Sequence, residues 1–192
     1  MMTTKSKHIV AASLITGSII LAILAVRTAN KRKSFPYVSR ESDPVVRNYF
    51  GLPGFLNASH PRGIRNNNPG NLRITTSAWK GKIPVEKNSD GAFEQFVSFE
   101  HGLRAMIRQL KNDIDRGYNT LTKLIGKYAP SSENNTSGYI AFVSGQTGIH
   151  KDAGLISTKA LLKNLVRAMA LMENGPAYPV SDRQFEQAYS ML

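Results

Sequence analysis

Glu173 is the carboxylate whose surroundings in the sequence best suit acid catalysis. It ends the most apolar helical pattern of the chain, and Val166, Met169 and Ala170 lie on its face of that helix. A carboxyl group held against such a face is desolvated, which raises its pKa, and the nearby helix C-terminus acts in the same direction. A carboxyl group that stays protonated near neutral pH can donate a proton to a glycosidic oxygen. An exposed glutamate in a frayed last turn is the alternative interpretation.

Two other polar features are candidates for chemistry. Glu133 lies in the segment 129–136 (APSSENNT), although an acid ahead of a helix N-terminus is also an ordinary structural feature. Residues 62–73 (RGIRNNNPGNLR) combine four asparagines with Pro-Gly between basic residues. Asn-Pro disfavours helix and Pro-Gly favours a turn, so this segment predicts an ordered loop. Its amides suit the binding of a sugar or another polar polymer, and a plain surface turn is the alternative.

The elements that position these groups are predicted to form one mainly α-helical domain over residues 62–192. A small β-hairpin is expected within 79–96, with its turn at 88–91. Apolar periodicity and capping residues predict five helices. These run from Ser98 to 115, from Thr120 to 128, from Asn135 or Thr136 to before Gly148, from Ser157 to before Gly175, and over 182–191.

The net charge indicates which partners the chain could bind, and the lack of cysteine bears on metals and cofactors. The net charge is +12, and six basic residues precede position 34 with no acid before Glu41. A basic chain suits an anionic polymer such as nucleic acid, anionic lipid or a bacterial cell wall. The chain has no cysteine, and its four histidines lack the spacing of metal ligands. We therefore expect no metal and no cofactor.

Residues 9–26 (IVAASLITGSIILAILAV) form an uncharged run of 18 residues with basic residues on both sides. As a helix this run would extend roughly 27 Å, close to the ~30 Å hydrocarbon core, which predicts a single transmembrane helix. A basic tail at 1–8 then precedes the helix, and a basic, proline-rich linker follows at 27–61. A signal peptide and a buried soluble helix are the alternatives. By the positive-inside rule, the basic segment 27–33 predicts that the domain after it lies on the cytoplasmic side of the membrane. Contact of this segment with anionic lipid or nucleic acid is the alternative.

Several short motifs resemble, in order, those of phage and prophage structural proteins with a lysozyme-like, peptidoglycan-degrading domain. They are GIRNNNPGNLR (63–73), WKG (79–81), FEQF (93–96), FEHGLRA (99–105), YAPSSENNT (128–136), YI (139–140) and ENG (173–175). The middle of the chain is also similar to bacterial glucosaminidases of the lysozyme superfamily, whose catalytic glutamate precedes the Asn-Leu loop. The resemblance therefore implies a circularly permuted lysozyme-like domain, in which the last long helix brings Glu173 beside the loop.

The resemblance implies a membrane-anchored, virion-associated lytic transglycosylase or muramidase-like enzyme that cleaves the glycosidic bonds of peptidoglycan during infection. Glu173 would be the general acid, and Glu133 would be the second carboxylate of a hydrolase. Four side chains would hold the sugars: Asn67, Asn68, Asn71 and Tyr139. The alternative is a catalytically inactive lysozyme-like protein that tethers a viral membrane to capsid or DNA. A third interpretation is a basic, membrane-bound protein that tethers nucleic acid. Other virion proteins are further expected partners, with location in the virion's internal membrane or the host inner membrane.

Overall fold

The computed structural model describes residues 60–192, which fold into α-helices joined by loops, the longest of which covers residues 66–98. The helices are α1 (Arg62–Arg65), α2 (Phe99–Asp115), α3 (Leu121–Tyr128), α4 (Thr136–Thr147), α5 (Lys159–Asn174) and α6 (Asp182–Ser190). The mainly helical class is thus confirmed for this part of the chain. The predicted transmembrane helix at 9–26, and all but the last two residues of the linker, lie outside the described residues. Within 60–192, none of the helices combines the length and the apolar character needed to cross a bilayer.

Side-chain caps determine where the longer helices begin. Ser98, Thr120 and Asn135 each accept a hydrogen bond from a main-chain N–H in the first turn of the helix that follows. The sequence predicts the cap at Ser98, allows Asn135 or Thr136 for α4, and predicts Thr120 only as the start of its helix. The helix predicted to start at Ser157 begins one position later, with Thr158 as its cap. Ser157 is not the cap because its hydroxyl donates to the carboxylate of Asp115, the last residue of α2.

Helix α2 is the centre of the domain and packs against α3, α5 and α6. Its inward face is fully buried and consists of Leu103, Met106, Ile107 and Leu110. Helix α5 also contacts α1 and α4, so the helix that ends in Glu173 is held on several sides. Burial of side chains of this size stabilises the fold by about 1.5–3 kcal/mol each. The position of the end of α5 is therefore fixed by the core.

The predicted β-hairpin is wrong, because only two isolated antiparallel bridges, Arg73 to Phe93 and Lys82 to Phe96, occur in this region. A 3-10 turn at Val85–Lys87 follows Pro84, which has no main-chain N–H to donate to a ladder. The Asn88 side chain also accepts from two main-chain N–H groups of the turn and donates to the Phe93 carbonyl. Side-chain hydrogen bonds thus replace the pairing of strands.

The segment 62–73 is not entirely a loop either. Its first four residues form the single turn of α1, because the Pro61 carbonyl accepts hydrogen bonds from the N–H groups of Ile64 and Arg65. Ile64 is buried in the core, at 1% exposure. The loop proper therefore starts at Asn66 and is anchored at its beginning by an apolar side chain.

Candidate active site

The asparagine-rich loop is folded around its own amide side chains. Asn68 donates to the carbonyls of Leu72 and Glu94 at 3.0 and 2.9 Å, and its Oδ1 accepts from the Leu72 N–H at 3.0 Å. Asn67 donates to the Phe96 carbonyl at 3.0 Å, and both asparagines are fully buried. The predicted contact with sugars does not fit these two positions, because their amides are already bonded inside the protein. They hold the loop in shape beneath the surface.

Replacing Asn68 by alanine is expected to destabilise the domain by about 3 kcal/mol or more, because three main-chain groups lose their partner and each costs ~1–3 kcal/mol when buried. Asn164→Ala is the matched control, since Asn164 is exposed on the surface of α5. Urea unfolding followed by circular dichroism measures both. Equal midpoints for the two variants would show that the loop does not depend on Asn68.

Glu173 lies directly beside this loop. Asn71 Nδ2 donates to Glu173 Oε2 at 2.8 Å across 102 residues of sequence, and the Tyr139 hydroxyl donates to Oε1 at 2.9 Å. The next residue, Asn174, donates to the Pro69 carbonyl at 2.7 Å and so ties the end of α5 to the loop. The juxtaposition of the last long helix with the loop, expected from the resemblance, is therefore confirmed. Asn71 has a φ of 47°, a left-handed conformation that asparagine tolerates better than most residues.

An open groove of about 530 Å³ runs over this point. Its walls combine aromatic, amide and charged side chains, a composition suited to sugars. They include Asn71, Arg73, Trp79, Phe93, Gln109, Asp113, Lys127, Tyr128, Glu133 and Glu173. Asn71, Glu133 and Glu173 are thus brought together as predicted, whereas Tyr139 reaches the groove only through its hydrogen bond to Glu173.

The three carboxylates of the groove differ in their partners. Asp113 forms an ion pair with Lys127 and accepts a hydrogen bond from Gln109 at 2.7 Å. Glu133 forms an ion pair with Arg73, and its side chain is half exposed. Among residues 60–192, Glu173 accepts hydrogen bonds from two donors, and both donors are neutral. It is therefore the groove carboxylate that no cation holds in the ionised form.

Burial raises the pKa of Glu173, and the hydrogen bonds from Asn71 and Tyr139 oppose this shift without reversing it. The direction predicted from the sequence is thus confirmed, with desolvation as the main cause. Burial and then the nearby Glu173 charge raise the pKa of Tyr139 and Tyr128 well above the ordinary value. Both hydroxyls therefore remain protonated donors at any physiological pH.

The raised pKa of Glu173 also predicts a pH dependence of stability. Ionisation of this carboxyl group is harder in the folded protein than in the unfolded chain, so its contribution to stability is fully present below the unfolded pKa. The contribution is lost as pH rises through the folded pKa. Glu173→Gln removes the titration, and we expect this variant to gain stability over the parent as pH rises from about 4 to 7. Melting temperatures of the variant and the parent, measured across that pH range, test the sign of this change. A difference between the two melting temperatures that does not change with pH would contradict the prediction.

Sequence reasoning missed Tyr128 and Trp79 as groove residues. Helical spacing placed Tyr128 in the core, yet its hydroxyl donates to the Gly70 carbonyl and its ring lines the groove. The hydroxyl group of Tyr128 could have indicated this position, because a phenol at an apolar position of a helix usually has a polar partner. Trp79 stood out only as part of a motif.

Within residues 60–192, fold and groove together define a helical domain with an open polar groove, on whose wall lies one partly buried acid without a cationic partner. The chain is 36% identical over 118 residues to protein P5 of Pseudoalteromonas phage PM2, an alignment that covers 59% of this chain and 71% of that protein. It belongs to the family of that phage protein. No known protein-family model matches the chain.

Proposed function

We propose that the groove binds peptidoglycan and that Glu173 is the general acid for cleavage of a glycosidic bond in it. The observation that carries this proposal is the state of Glu173. It is a partly buried carboxyl group whose pKa is raised, it has no cationic partner within residues 60–192, and it borders an open groove. Such a group can still carry its proton when it meets the leaving oxygen.

The neighbours of Glu173 suggest how the step proceeds. The carboxyl proton passes to the glycosidic oxygen as the bond from that oxygen to the sugar carbon breaks, and positive charge develops on the sugar ring. Asn71 and Tyr139 stabilise the carboxylate that remains, because both donate to it. An oxygen nucleophile then attacks the sugar carbon and returns its proton to Glu173, which restores the acid.

The nucleophile we favour is a hydroxyl of the substrate itself, as in a lytic transglycosylase. A hydrolase needs a second carboxylate to act as base or nucleophile, commonly about 5–10 Å from the first. The two other carboxylates of the groove are held in ion pairs, Glu133 by Arg73 and Asp113 by Lys127. Attack by an internal hydroxyl needs no free second acid. Glu133 with water remains the assignment for a muramidase-like reaction.

The setting of this activity is also part of the proposal. The chain belongs to a phage protein family, and an enzyme that opens the cell wall serves a phage during infection. We infer that the protein is carried in the virion and that residues 9–26 anchor it in a membrane, which is the virion's internal membrane or the host inner membrane during assembly. The helical body would be a lysozyme-like domain in permuted order.

A catalytically inactive virion protein with the same groove is the second candidate. One observation favours it: both oxygens of Glu173 accept hydrogen bonds, and these bonds tie α5 to the loop through Asn71 and to α4 through Tyr139 whether or not any reaction occurs. In that case the groove serves attachment to the cell wall or to other virion components.

Incubation of the purified full chain with insoluble peptidoglycan distinguishes the two candidates. Released fragments, identified by mass spectrometry, are expected to end in anhydro sugars if an internal hydroxyl attacks, and in reducing sugars if water attacks. Peptidoglycan that sediments with bound protein but releases no fragments would reject the enzyme and favour the attachment protein. Lack of both binding and cleavage would reject both uses of the groove.

A further inference from the structure

A second groove of about 460 Å³ continues from the first one and is strongly basic. The two grooves share the side chains of Ser77, Trp79, Gln109 and Asp113. Four cations line the second groove, namely Lys80, Arg104, Arg108 and Arg116. An extended ligand lying in the first groove therefore meets these cations if it continues past Trp79.

These four cations form no ion pair with an Asp or Glu side chain within residues 60–192. The acid that lines the second groove, Asp113, is already paired with Lys127. The groove thus concentrates positive charge that no acidic side chain of the described residues neutralises. The charges of Lys80 and Arg104 add to burial in lowering the pKa of the neighbouring His101.

Two of the cations are held in place by the end of the chain. Arg104 is 8% exposed, and its Nε donates to the Met191 carbonyl at 2.8 Å. Arg108 Nη1 donates to the Leu192 carbonyl at 3.4 Å. A guanidinium fixed by one hydrogen bond keeps its other N–H groups for a ligand and loses little freedom on binding. Planar guanidinium groups form bidentate hydrogen bonds with carboxylates and phosphates.

The charge of the first groove favours carboxylates on side branches over a phosphate backbone. The charges of the first groove are balanced, because Glu133 pairs with Arg73, Asp113 pairs with Lys127 and the proposed acid Glu173 carries its proton. A polymer with a phosphate at every unit would therefore leave the phosphates in the first groove without unpaired cations. An uncharged glycan that carries acidic branches places sugars beside Glu173 and its negative charge beside the arginines.

We propose that the second groove is a subsite for the acidic peptide branches of peptidoglycan, with Arg108 and Arg116 binding the peptide carboxylates and Arg104 and Lys80 adding to the field. This inference rests on the proposed function, because it assigns the glycan to the first groove. It makes the preferred substrate a strand that still carries its peptides.

Binding of soluble strands to the full chain carrying Glu173→Gln tests the proposal without turnover. The ligands are glycan strands with peptides, the same strands after amidase removal of the peptides, and a single-stranded DNA oligomer of similar charge. We expect strands with peptides to bind about tenfold more tightly than trimmed strands, which corresponds to the two solvent-exposed ion pairs assigned to Arg108 and Arg116. Arg108→Gln with Arg116→Gln should abolish this difference and leave affinity for trimmed strands unchanged. Lys87→Gln with Arg183→Gln is the matched control, because it removes the same charge outside both grooves and should keep the difference.

Equal affinity for trimmed and intact strands would overturn the subsite and leave the glycan groove intact. Absence of binding to both kinds of strand would overturn the proposed function together with the subsite. Tighter binding of DNA than of intact strands, lost in the double arginine variant, would overturn the peptide assignment and identify a nucleic-acid surface. Loss of the tenfold difference in the control variant would show a general charge effect and also overturn the subsite.

Discussion

Glu173→Gln is expected to lower the rate of peptidoglycan cleavage about a thousandfold, since a positioned general acid contributes ~10²–10⁴ to the rate. Glutamine has nearly the same shape, and its carbonyl oxygen can still accept from Asn71 while the Tyr139 hydroxyl turns to accept from its amide. The substitution therefore removes the proton donor and keeps the hydrogen-bonded contact between α5 and the loop. Initial rates of fragment release from peptidoglycan measure the effect, and circular dichroism verifies the fold.

Two matched substitutions make this result specific. Glu86→Gln changes an exposed glutamate outside both grooves and is expected to leave the rate unchanged. Glu133→Gln breaks the ion pair with Arg73 and is expected to reduce the rate by less than tenfold if an internal hydroxyl is the nucleophile. A large loss in Glu133→Gln with a small loss in Glu173→Gln would reverse the assignment of the acid.

Gly102→Ala is expected to destabilise the domain by more than about 3 kcal/mol, at the upper end of the range for inserting a group into a packed site. Gly102 lies in the first turn of α2, where an added Cβ would stand 1.8 Å from the Asn67 carbonyl oxygen and 2.8 Å from its carbon. Both contacts are with main chain that the buried asparagines hold in place, so the clash cannot be relieved by a side-chain rotation. Thermal unfolding of the full chain measures the loss.

Gly126→Ala provides the control for this prediction. Gly126 lies within α3, and a Cβ there meets nothing within 4 Å. Alanine is a better helix former than glycine, so this variant should gain about 0.5–1 kcal/mol. A similar loss in both variants would mean that the close approach of the loop to α2 does not limit stability.

Sequence reasoning was most accurate where the information is local. Ser98 was predicted as the cap of α2, and its short hydroxyl side chain accepts from the N–H three residues ahead. The raised pKa of Glu173 follows from its apolar neighbours on the same helix face, which repeat at known spacing. Where Ser157 failed as a cap, the cause was a partner 42 residues away.

The roles of the asparagines in the loop could not be predicted from the local sequence. Its composition indicated amides available for a ligand, yet Asn67 and Asn68 point inward and Asn71 points at Glu173. These asparagines share a residue type and a segment, and only the packing of the loop on α2 and α5 separates their roles. The predicted hairpin failed for a related reason, since Asn88 takes main-chain partners that a strand would have used.

By itself the sequence determined the helical class of residues 62–192, the cap of α2, the excess of positive charge and the apolar helical neighbours of Glu173. Those properties depend on residue type and on spacing within a few turns, which a linear pattern contains. The tertiary structure decided that Glu173 meets Asn71 across 102 residues, that Tyr128 lines a groove and that four cations converge on one surface beside Trp79. Such contacts depend on how the helices pack around α2, and the spacing of apolar residues along a single helix does not determine that packing.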